Sequence, residues 1–68
     1  MDYKEADRKK IMSYIASKGG ECPVRDIIDE SGAEKFRVYP ILFEENLAGR
    51  IFYVKESKLG APDVVSLV

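Results

Sequence analysis

Along this chain, apolar residues recur every three or four positions within stretches separated by glycine and proline. Between Glu5 and Lys18, Ile11, Met12, Tyr14, Ile15 and Lys18 fall at that spacing, which predicts a first helix with one packed face. Glu5 and Asp7 lie in its first turn, where the helix dipole favours acids, and Lys18 lies in its last. Gly19 follows where many helices end on a left-handed residue. A second, shorter helix starts at Pro23, since proline suits a first turn whose N–H would have no partner. Val24, Ile27 and Ile28 form its apolar stripe, Arg25, Asp26, Asp29 and Glu30 its polar face, and Ser31-Gly32 ends it. Cys22 reads as a small apolar residue bound for the core.

A third helix is predicted from Ala33 or Glu34 to about Ala48, closed by Gly49. Pro40 lies inside it, where proline removes a backbone donor and crowds the preceding turn. Either the helix begins late, so that Pro40 lies in its first turn, or its first half kinks or tightens, which is the favoured reading. Ile51–Val54 and Val64–Val68 are rich in β-branched and aromatic residues and flank the polar stretch Lys55–Asp63. That pattern predicts a hairpin with a longer loop. A lone hairpin is marginal, so it must pack on the helices.

Several short motifs fit one scheme. In Gly20-Glu21-Cys22-Pro23-Val24-Arg25-Asp26-Ile27-Ile28, a small apolar residue precedes an acidic-apolar-apolar triplet. Ser31-Gly32-Ala33 forms a tight turn, Val38 and Leu42 are apolar anchors, and Ala48-Gly49-Arg50-Ile51 makes a small-Gly-x-apolar exit. In this order, from about Arg8 to Val68, the chain resembles a winged helix-turn-helix domain. The resemblance implies an α+β fold, with three helices plus a C-terminal β-hairpin wing in a single domain over residues 1–68. It also allows a short strand before the second helix. Two positions depart from the family pattern. Glu45 stands where a third apolar anchor is usual, seven residues after Val38. Pro40 interrupts a helix that in this family normally lies unbroken in a DNA groove.

The resemblance implies a small DNA-binding protein, a transcriptional regulator whose partner is double-stranded DNA. The contacts it implies are Lys35, Arg37 and Tyr39 on the third helix, Lys55 and Lys58 on the wing, and Arg25 at a phosphate. The charge balance is less favourable. Eleven Lys and Arg face twelve Asp and Glu, a net charge of −1, whereas duplex binding needs several phosphate contacts. Glu34, Glu44, Glu45 and Glu56 lie among the candidate cations.

The alternative is a protein–protein interaction module, as a dimer or complex subunit, without direct DNA binding. At ~100° per residue, Phe36, Tyr39, Pro40, Phe43 and Leu47 widen the apolar arc of the third helix to about half its circumference. Either the first helix and the wing bury that arc, or part of it is an exposed face. Leu59, apolar in a polar loop, either folds back on the core or touches a partner. Phe36, Tyr39, Phe43, Leu47 and Leu59 are therefore the candidate protein interface. Arg8-Lys9-Lys10 reads as a solvent face, with Glu5 placed to pair with Lys9.

Other chemistry is limited by what is missing. The chain has no histidine, no tryptophan and one cysteine. It cannot assemble a His/Cys zinc site, an internal disulfide or a His-based catalytic unit. Asp26, Asp29 and Glu30 read as a solubilising face rather than a metal site, and Gly19-Gly20 lacks the Lys-Ser/Thr of a phosphate loop. No enzyme activity, cofactor or metal is expected. No apolar run approaches the ~18 residues of a membrane span, and Met-Asp-Tyr-Lys-Glu lacks a signal-peptide core. The expected location is cytoplasmic, with no membrane partner. A domain this small buries only ~60% of its unfolded surface, so dimerisation is a plausible supplement to its stability.

Overall fold

In the computed structural model, which describes residues 2–68, the order is α1 (Tyr3–Ser17), β1 (Glu21–Pro23), α2 (Val24–Glu30), α3 (Lys35–Leu47), β2 (Ile51–Glu56) and β3 (Pro62–Leu67). The chain is α+β, three helices with a three-stranded antiparallel sheet ordered β1-β3-β2.

α1 begins before Glu5 because Asp2 caps it. The Asp2 side chain accepts the Glu5 N–H at 3.1 Å, which satisfies one of the donors a helix start leaves open. Lys18 is the C-cap, and Gly19 takes the left-handed conformation at φ +83°. Pro23 does not open the turn of α2. It is the extended N-cap and the last residue of β1, a strand whose Cys22 lies opposite Val65. Proline fits there because β1 is an edge strand that pairs only with β3.

The turn from α2 to α3 relies on Gly32 at φ +85°, a conformation that costs an L-residue about 1–2 kcal/mol. α3 starts at Lys35, and Pro40 sits inside it. Both hairpin strands run further than the sequence pattern suggests, and the loop is correspondingly shorter. Ser57 N–H donates to the Ala61 carbonyl at 2.8 Å to close it. The β2–β3 register shifts between Tyr53 and Lys55 and again before Glu56.

The core joins one face of every element. Ile11 and Ile15 of α1, Ile27 of α2, Val38, Ile41 and Leu42 of α3, Ile51 of β2 and Val65 of β3 are all fully buried. Cys22 is buried with them, and that burial pushes its thiol pKa up. Among the described residues, no helix is long and apolar enough to cross a membrane.

Candidate interaction face on the third helix

α3 has two faces of different chemistry. Its inner face buries Val38, Ile41, Leu42 and Glu45. Its outer face carries Phe36, Tyr39, Pro40, Phe43 and Leu47, all exposed. Phe36 is 89% exposed, Leu47 71% and Phe43 56%. The wide apolar arc is thus divided, and nothing among the described residues covers its outer half. At the hairpin tip Leu59 is almost wholly exposed, so it does not fold back on the core. Its backbone N–H donates to Ser57 Oγ at 3.3 Å.

Glu45 replaces an apolar anchor, yet its side chain is completely buried. It can be buried because two arginines neutralise it. Arg8 Nη1 donates to Glu45 Oε1 at 2.6 Å, and Arg50 pairs through Nε and through Nη2 at 3.1 Å. Arg50 beside it, helped by Arg8, holds the Glu45 carboxyl below the usual range despite desolvation. Arg8 also reaches Glu44 at 3.1 Å and Glu5 at 3.2 Å, and Lys4 pairs with Glu44. Arg8 is therefore a half-buried strut between α1 and α3 rather than part of a solvent face. Glu5 meets Arg8 three residues on, and not Lys9.

A second strut begins at Asp7, which the sequence places in the first turn of α1 as an acid favoured by the helix dipole and which is buried. Its Oδ2 accepts Arg37 Nη1 at 2.9 Å and lies 3.4 Å from Glu34 N, at the start of α3. Glu34 makes no side-chain cap of its own, so a carboxylate from α1 occupies the position that a helix N-terminus favours for an anion. The Arg37 hydrogen bond is the main reason the Asp7 pKa is lowered. Arg37 also lies over the Tyr3 ring, 5.8 Å from its centre.

These struts alter the proposed DNA contacts. Arg37 is engaged by Asp7. Arg25 and Tyr39 line one shallow surface depression with Asp63. Lys35 lines another with Asp7, Lys10 and Glu34. Lys55 and Lys58 are exposed at the end of β2 and in the hairpin loop. Among the described residues, Arg25, Lys35, Lys55 and Lys58 have no ion-pair partner.

The burial of the two carboxylates was not legible in the sequence, although Glu45 stood out there as a departure from the apolar pattern. The only available signal was a charge at an inward position of each helix, with arginines at Arg8, Arg37 and Arg50 to meet it. Among the described residues, no three His, Cys, Asp or Glu side chains are grouped to hold a metal ion. No protein-family model, curated protein or solved structure matches this chain.

Proposed function

We propose that this chain is a winged-helix protein-association module that docks through the outer face of α3. The element order and the antiparallel β2–β3 hairpin support the winged-helix reading. The observation that carries the functional reading is the exposed row of Phe36, Pro40, Phe43 and Leu47. In a DNA-binding winged helix this is the face that enters the groove, and there it would meet charged phosphates and polar base edges. An apolar row gains nothing from phosphates and gains from burial against another protein.

A photo-cross-linking residue placed at Phe43, in cells that produce the protein, tests this reading. It should give a discrete cross-linked protein product, and Leu47→Glu should abolish that product. An unlinked chain, or a product indifferent to Leu47→Glu, contradicts the reading.

The second reading, duplex DNA binding, is favoured by the four cations that have no ion-pair partner among the described residues: Arg25, Lys35, Lys55 and Lys58. It requires that replacing Lys35, Lys55 and Lys58 together weaken binding and flatten its salt dependence.

A further inference from the structure

The exposed row on α3 is self-complementary. Phe36, Pro40, Phe43 and Leu47 step by four, three and four residues, the spacing of a helix–helix seam. Turned end for end about a two-fold axis between Pro40 and Phe43, the row falls on itself. Phe36 then meets Leu47 of a second copy, and Pro40 meets Phe43. The flanks match too. Arg37 and Glu44 border one side of the row, and Tyr39 and Asn46 the other. An antiparallel two-fold brings like side to like side. Arg37 therefore faces Glu44 of the second copy, and the Tyr39 hydroxyl faces Asn46, each contact made twice.

Arg37 and Glu44 keep 42% and 38% of their side-chain surface exposed, although one holds Asp7 and the other holds Lys4 and Arg8. Each retains donors or lone pairs for a further partner. A parallel pairing would set the charged flank against the uncharged one and leave both charges unmatched. The net charge of −1 leaves little repulsion between copies, and two-fold dimers are the commonest assemblies of identical chains.

We infer that a second copy of this chain covers the outer face of α3, in a two-fold antiparallel helix pair. The inference rests on the reading of α3 as a protein-docking surface, and it names the partner. Such a pair hides the face that a DNA groove would need.

Sedimentation equilibrium of the purified chain, from micromolar to millimolar concentration, tests it. A concentration-dependent dimer is expected. Leu47→Glu should weaken it at least about thirty-fold, the scale of a hot-spot loss, while circular dichroism, and melting at dilutions where both chains are monomeric, stay unchanged because Leu47 is exposed in the monomer. The double variant Phe36→Cys/Leu47→Cys tests the register, with oxidised glutathione as the oxidant. The two positions lie about 16 Å apart along one helix, too far for a bond within the chain. A covalent dimer closed by two interchain disulfides is expected, and buried Cys22 does not compete.

A chain monomeric at every concentration overturns the inference. So does a dimer indifferent to Leu47→Glu, or one in which each single-cysteine variant links to itself while the double variant gains no second bond. A monomer whose Phe43 still cross-links to another protein in cells overturns self-pairing alone. A monomer without that product removes the docking reading as well.

Discussion

Glu45 shows how one residue can reverse the meaning of a pattern. Read along the sequence, it breaks the apolar face of α3; in the fold it is the best-sheltered charge, held between Arg8 and Arg50. The two sides of this pair are unequal. Removing Glu45 leaves Arg8 with Glu44 and Glu5. Removing Arg8 leaves a fully buried carboxylate with Arg50 alone, and stranding a buried charge is the costly case. Arg8→Leu is expected to lose about 2 kcal/mol of stability, below the range for fully buried pairs because the arginine is partly solvated. Glu45→Leu is expected to cost less than Arg8→Leu. Urea denaturation of both variants measures the order, and the reverse order would show that Arg8 is not the strut described.

At the scale of the element, α3 must pack inward, span a proline and present an apolar outer row. Pro40 cannot donate to the Phe36 carbonyl, the partner that a helical N–H at this position would have. Its ring is on the exposed side, so its loss opens no cavity. Pro40→Ala is therefore expected to stabilise the monomer by roughly 1–3 kcal/mol, read as a higher urea midpoint at dilute concentration. Unchanged or lower stability would mean that the helix depends on the proline ring packing.

The limits of sequence reading are visible in the same element. Val38 and Leu42 were legible as apolar anchors from the motif order that resembles a winged helix-turn-helix domain, and both are buried. The division of the apolar arc into a buried and a bare half was not, because periodicity counts apolar residues without showing which neighbours cover them. The extent of β2 and β3 was also missed. Lys55, Glu56 and Pro62 join the strands through pairing with the facing strand, which local propensity does not report.

For the whole molecule, the carboxylate struts set the response to pH. The pKa values of Asp7, Glu44 and Glu45 are lowered, chiefly by Arg37, Lys4 and Arg50 respectively. A lowered folded value means that the proton binds the unfolded chain more readily, so stability is full above the ordinary carboxylate range and falls as acid protonates the folded groups. Tyr14 and Cys22 act at the other end. The Tyr14 hydroxyl donates to Glu30, which raises its pKa, and burial raises that of Cys22. Their contribution is complete at neutral pH and is lost as alkali ionises them. Thermal melting across pH should therefore show a plateau around neutrality, a fall below about pH 4.5 and another above about pH 9. A melting temperature that stays level into acid would show that the struts add nothing to stability.

On the proposed function, the bare face of α3 meets protein rather than DNA. The most direct measurement is an amide-resolved NMR dilution series of the chain, repeated with a mixed-sequence duplex at low salt. Dilution should move resonances from Phe36 to Leu47 together, and the duplex should leave Arg25, Lys35, Lys55 and Lys58 in place. Contradiction would be α3 signals indifferent to dilution, with the duplex shifting those four cations and salt reversing the shift.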